Sequence, residues 1–135
     1  MKLALKIVAA VLGLLVALFL AQAIASEQGE VAVLTSFDAA GDGQTTRVWV
    51  VDYEGGAWLR SGSPASAWYA RISNNPHVKV ERGGMEFAAS AVAVPDQQKQ
   101  INQLMADKYG WADQFIGVLF GRDDAIALRL DPADL

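Results

Sequence analysis

The sequence contains no cysteine and a single histidine, His77. The first absence removes disulfides, thiolate metal sites and a cysteine nucleophile, and it leaves the redox compartment open. The second removes multi-histidine metal sites and rests any Ser-His-Asp triad on one residue, with no nucleophile elbow beside it. Asp38, Asp42 and Gly43 lack the ligand spacing of a calcium loop and read as a turn, so no metal is expected. Basic side chains are scarce too: nine of the 11 lie after residue 25, against all 15 acidic ones. A domain with that balance repels phosphate backbones, which excludes nucleic acid as the expected partner. At 135 residues the chain has room for one domain.

What is abundant is apolar surface, and it is unevenly spread. Ile7 to Ala25 holds 18 apolar or small residues, with Gln22 the exception. As a helix this run spans roughly 28 Å, about the thickness of a bilayer's hydrocarbon core. Residues 1–25 therefore read as a transmembrane anchor or, alternatively, as a signal peptide with small-residue triplets at Ala21-Gln22-Ala23 and Ala23-Ile24-Ala25. Lys2 and Lys6 precede the run, and no lysine or arginine follows it until Arg47. The positive-inside rule keeps the N-terminus in the cytoplasm and sends residues 26–135 across, tethered as a single-pass membrane protein or secreted after cleavage.

The rest of the chain reads as short strands, then helices, then a closing strand. Val31–Phe37, Thr45–Tyr53 and Ala57–Ser61 carry strand patterning, separated by the turn-rich Asp38–Gly43 and Glu54-Gly55-Gly56. Ser63 and Pro64 mark a helix start, and Asn75-Pro76 stops that helix. Trp68 and Ile72, four apart, give it one buried face. His77–Arg82 and Met85–Val94 form a hairpin around Gly83-Gly84, with His77 on the polar face of its strand. Asp96–Lys108 and Trp111–Phe120 are helices ended by Gly110 and Gly121, and Ala125–Asp131 is a sixth strand. The expected fold is α+β: a six-stranded antiparallel barrel with about three helices, preceded by the N-terminal apolar helix.

The run Pro64-Ala-Ser-Ala-Trp68-Tyr69 through Asn75-Pro76-His77-Val78-Lys79-Val80, followed later by Lys108-Tyr109-Gly110-Trp111, resembles deazaflavin-dependent nitroreductases and quinone reductases. That resemblance covers most of residues 31–131 and implies a flavin-reductase-like split β-barrel. It further implies a deazaflavin coenzyme (F-420) or FMN as cofactor, and hydride transfer to a quinone-like or nitro acceptor. In such proteins the side chains bind and orient the ring rather than react. By motif position Arg47 falls near the cofactor's phosphate. Arg60, Ser61, Gly62 and Ser63 offer an anion site at a strand end and helix N-terminus, and Trp68 and Tyr69 wall the pocket. A homodimer is implied as well, with the Trp111-Phe115-Phe120 helix as a candidate interface. Where family members carry a basic glycine-rich segment, this chain has the acidic Asp38–Gly43. That departure keeps a second reading open: an exported, non-enzymatic barrel that binds no cofactor. His77, on its polar strand face, reads as a surface residue rather than a haem ligand.

Overall fold

The computed structural model describes residues 1–26 and 29–133. An apolar helix, α1 (Lys2–Ser26), precedes β1 (Val31–Phe37), β2 (Gly43–Tyr53), β3 (Gly56–Ser61), α2 (Ala67–Asn74), β4 (His77–Arg82) and β5 (Met85–Ala93). Helices α3 (Gln98–Tyr109) and α4 (Trp111–Phe120) follow, and β6 (Ile126–Pro132) ends the fold. The strands close into an antiparallel barrel in the order β1-β2-β3-β6-β5-β4. The α+β class, the six strands and the split-barrel form expected from the sequence are all present, with α1 as the preceding apolar helix.

Turn chemistry sets the hairpins. Gly83 and Gly84 both take positive φ, at 57° and 80°, and join β4 to β5 in the twist that two-residue hairpins prefer. Glu54 and Gly55 do the same for β2 and β3 at 51° and 78°. Closure is made by a short ladder in which Val33, Leu34 and Thr35 of β1 pair with Glu81, Val80 and Lys79 of β4.

Two apolar clusters follow from strand alternation. Val48, Val50, Leu59, Val80 and Leu128 point inward and, with Trp68 and Ile72 of α2, fill the barrel. Val51, Trp58 and Ala127 point outward and bury against Ile101, Met105 and Tyr109 of α3. The Val48–Val51 stretch of β2 is thus covered on both faces, as its doubly apolar sequence requires.

The structure moves several element boundaries, and β2 starts at Gly43 rather than Thr45. Helix α2 starts at Ala67 with Ser66 as its cap residue, not at Ser63. The Ser61 hydroxyl donates to the Ser63 carbonyl at 2.7 Å and lies 2.6 Å from the Ser66 hydroxyl, so Ser63-Pro64-Ala65 forms a separate turn first. A 3₁₀ turn over Pro95–Gln97 occupies what reads as the first turn of α3. The last strand begins at Ile126 rather than Ala125. His77 is exposed, as its place on the polar side of β4 predicts.

Helix α1 is long and apolar enough to cross a membrane between Lys2 and Ala25. Its last turns pack against the domain: Ala25 is fully buried, and α1 contacts α4.

Candidate cofactor site

A cavity of about 220 Å³ lies on the outer wall of the barrel, where β2 and β3 pass beneath α1 and α4. Alternation along the strands builds its floor. Arg47 and Trp49 share the outward face of β2, and Arg60 shares the outward face of β3 with Trp58. Gly62 and Trp68 complete the end nearest α2. Gln22 of α1 and Ile116 of α4 line it from the other side, and Arg122, just beyond α4, also lines it.

Three arginines therefore meet at one small site, and two of them share a carboxylate. Arg60 donates through Nη2 to Asp113 Oδ1, and Arg122 reaches the same oxygen at 2.8 Å. Arg122 Nη2 also donates to the Asp113 carbonyl at 3.2 Å, and Arg60 Nη1 to Asn102 Oδ1 at 3.3 Å. The Arg60 and Asp113 side chains are only 6% and 9% exposed. Burial, reinforced by the neighbouring Arg122 charge, pushes the Arg60 guanidinium below its usual value, while Asp113 opposes the shift. Arginine remains charged under such a shift. One carboxylate, Asp113, thus faces two guanidiniums, and Arg47 lines the same cavity. The Arg122 Nε–H is buried beneath Gly117 of α4 with no hydrogen-bond acceptor among the described residues.

Aromatic surface completes the site. Trp49 stacks on the Tyr109 ring at 4.2 Å between centroids and 7° between planes. Tyr109 is fixed in turn. Its hydroxyl donates to the Glu30 carbonyl at 2.5 Å and accepts from the Val50 N–H at 3.0 Å. Burial raises its phenol above the ordinary value. Glu30 sits between Arg82 and Lys108, with Lys108 Nζ 2.6 Å from Oε1 and Arg82 Nη2 3.0 Å from it. Those two cations, Arg82 foremost, lower its carboxyl to about 2. The segment entering β1 is thereby pinned to the back of the Trp49 wall.

Of the residues expected at the site, Arg47, Arg60, Gly62 and Trp68 line this one cavity. Ser61, Ser63 and Tyr69 do not. The Ser61 hydroxyl is fully buried and engaged with Ser63 and Ser66. Ser63 Oγ accepts from the Ala65 N–H at 3.2 Å, and Tyr69 packs against the barrel interior. Since α2 begins at Ala67, no helix N-terminus opens at Gly62. Asp38 spends its carboxylate within its own loop, accepting from the Ala40 and Asp42 N–H groups at 3.0 and 2.9 Å. His77 is not among the cavity residues.

Sequence reasoning missed Trp49, Asp113, Arg122 and Gln22. A signal existed for Asp113. It is the single charged residue of α4, and a lone carboxylate in an apolar helix implies a buried cation partner. Gln22 is likewise the lone polar residue in the apolar run of α1.

The cavity's chemistry suits part of an anionic, ring-bearing cofactor. Two tryptophans offer flat apolar surface, and the arginine cluster offers donors for phosphate or carboxylate. Its volume is below the roughly 300–1,000 Å³ of pockets that enclose a whole drug-sized ligand, so an extended cofactor would project beyond it.

Comparison with solved structures agrees with the fold. The chain is similar to HutZ, the heme storage protein of Vibrio cholerae, at 18% identity over 82% of this chain and 87% of that one, with a TM-score of 0.62. A pyridoxamine 5'-phosphate oxidase-like protein of Listeria innocua shares 17% identity over 82% and 90% of the two chains, with a TM-score of 0.59. An F420 reductase shares 16% identity over 81% and 90%, with a TM-score of 0.54. No curated protein matches the chain. Residues 27–113 match the family described as F420H(2)-dependent quinone reductase. By that match, carried on a six-stranded split barrel, the chain belongs to the F420H(2)-dependent quinone reductase family.

Proposed function

We propose that the chain is a membrane-anchored oxidoreductase that binds a deazaflavin coenzyme, or FMN in its place, and delivers hydride to a quinone-like or nitro acceptor. One observation carries this reading: Arg47, Arg60, Arg122, Trp49 and Trp68 converge on a single cavity bounded by the end of α1. When bound, the ring supplies the hydride. The chain's own residues bind and orient. Arg47 and Arg122 hold the anionic part of the cofactor. Trp68 and Trp49 supply the apolar walls, and the Trp49 ring is held flat by Tyr109. Arg60 is a positioning residue, locked by Asp113 so that the cluster keeps its geometry. Gly62 lets the ligand approach the backbone closely.

Residues 1–25 act as an uncleaved anchor, with the N-terminus in the cytoplasm and residues 26–135 as the domain outside. The fully buried Ala25 and the cavity-lining Gln22 favour the anchor over a signal peptide, because cleavage after Ala25 would strip one wall from the site. An anchored domain also meets lipophilic acceptors where they are concentrated. The acidic Asp38–Gly43 loop favours the second reading, a barrel that binds no cofactor.

Turnover separates the two. Full chain in phosphatidylcholine vesicles, given reduced deazaflavin coenzyme and a short-chain quinone, should oxidise the coenzyme faster than vesicles alone. Equal rates with and without protein, for both the deazaflavin and FMN, would contradict the first reading.

A further inference from the structure

The exposed apolar surface does not end with α1. It continues onto α4, where Val118 is 86% and Phe120 70% exposed and Leu119 is also exposed. At the other end of the same helix Trp111 is 57% exposed. The helix carries one charged residue, Asp113, and that carboxylate is turned inward onto Arg60 and Arg122. We propose that α4 is a second membrane contact, its C-terminal tip dipping into the bilayer that holds α1 and its Trp111 lying at the interface. This rests on the reading that α1 is in the membrane.

Three relationships point to lipid. The first is continuity. Ile116 of α4 lines the cavity with Gln22 of α1, and Phe120 lies one turn beyond Ile116 on the same side. Exposed Phe19, Leu20 and Ile24 continue the apolar surface of α1 up to this junction. The second is shape. Val118, Leu119 and Phe120 are consecutive, so at about 100° per residue they fan over a broad arc of the helix tip. Helix pairs bury a stripe at i, i+3 and i+4, whereas a fan suits a fluid apolar medium. The third is the placement of Trp111, seven residues before Val118 and hence on the same side of α4. Tryptophan favours the membrane–water boundary, which lets this row run from interface to hydrocarbon. With the chain at −4, attachment is apolar rather than electrostatic, so it needs no anionic lipid.

The consequence concerns the cavity. Two attachments separated in sequence hold the barrel in one orientation on the bilayer, with the α1–α4 edge of the cavity turned to the lipid.

Because the native chain has no cysteine, single spin labels are clean probes. Full chain carrying Phe120→Cys, with Val118→Cys as a second probe, is placed in phosphatidylcholine vesicles beside Val16→Cys in α1 and Glu86→Cys on β5. Collision with oxygen, which enters lipid, is compared with collision with a water-soluble nickel chelate. Positions 16, 118 and 120 should favour oxygen severalfold over position 86, with no dependence on salt or anionic lipid. Oxygen preference at 16 with nickel preference at 118 and 120 would overturn the proposal and leave the anchor standing. Nickel preference at 16 would overturn the anchor and the proposal together. Labels at 118 and 120 shielded from both reagents and broadened by a neighbouring spin would mean that a second copy covers α4, which also overturns it.

Discussion

Arg60 on β3 donates to the Asp113 carboxylate on α4, across 53 residues of sequence, and both side chains are almost wholly buried. The pair ties the barrel wall to the helix that roofs the cavity. Removing the charge of a buried pair leaves its partner uncompensated, at a typical cost of about 3–5 kcal/mol. Asp113→Asn should lower stability by about that amount in thermal unfolding of the detergent-solubilised chain. The double variant Arg60→Met, Asp113→Leu should recover part of the loss, and a stability change within about 0.5 kcal/mol for Asp113→Asn would remove the tie.

Arg122 tests the anion site. Its side chain lines the cavity beside Arg47 and Arg60. A hydrogen bond to a charged group contributes about 1.5–3 kcal/mol, so Arg122→Gln should weaken cofactor binding about tenfold or more. The binding of the native chain should also weaken with added salt. Isothermal titration reads both effects, and unchanged affinity would place the anion elsewhere.

Gly62 separates folding from binding. A Cβ built there meets no atom within 4 Å among the described residues, and its φ lies outside the left-handed region. Gly62→Ala should therefore leave thermal stability within about 0.5 kcal/mol of native. Cofactor affinity should nevertheless fall, because the new methyl occupies the cavity. Native affinity in this variant would show that the ligand does not approach that backbone.

Tyr109 anchors the segment entering β1 to the wall of the site. Tyr109→Phe removes the group that bonds the Glu30 carbonyl and the Val50 N–H. Leaving a buried polar group unsatisfied costs about 1–3 kcal/mol, so the variant should unfold earlier by that margin. Faster amide exchange at Val50 would locate the loss.

The Glu30 carboxyl sits at about 2, against an ordinary 4.5, because Arg82 and Lys108 favour its charged form. A group depressed on folding stabilises fully above its unfolded value and loses that contribution as pH falls toward its folded one. The stabilisation is accordingly complete above pH 4.5 and fades as pH falls toward 2. The pair is partly exposed, so the effect stays under about 1 kcal/mol. Melting temperature between pH 6 and 3 should fall less steeply in Glu30→Gln than in the native chain, and parallel curves would contradict the assignment.

The strands and hairpins were legible because each rests on local signals. Val48, Val50 and Val51 declare two buried faces, and Gly83-Gly84 declares its turn. The start of α2 at Ala67 is not legible, since Ser63 and Ser66 are both good cap types. Ser61 Oγ bonds the Ser63 carbonyl and the Ser66 hydroxyl, and this local turn precedes the helix. Motif position names Arg47, Arg60, Gly62 and Trp68, and β2, β3 and α2 bring these four to one cavity. It could not find Arg122, Asp113 or Gln22, because they reach the cavity through the packing of α1 and α4 on the barrel. The turn of Ser61, Ser63 and Tyr69 away from the cavity was hidden for the same reason.

The most direct test of the account is a binding titration of the full chain in detergent micelles with the deazaflavin coenzyme and with FMN, read through tryptophan fluorescence. Trp49 and Trp68 line the cavity, so saturable quenching at micromolar concentrations is expected for at least one cofactor, weakened in Arg122→Gln. Flat titrations with both at high micromolar concentration would contradict a cofactor site between these arginines and tryptophans.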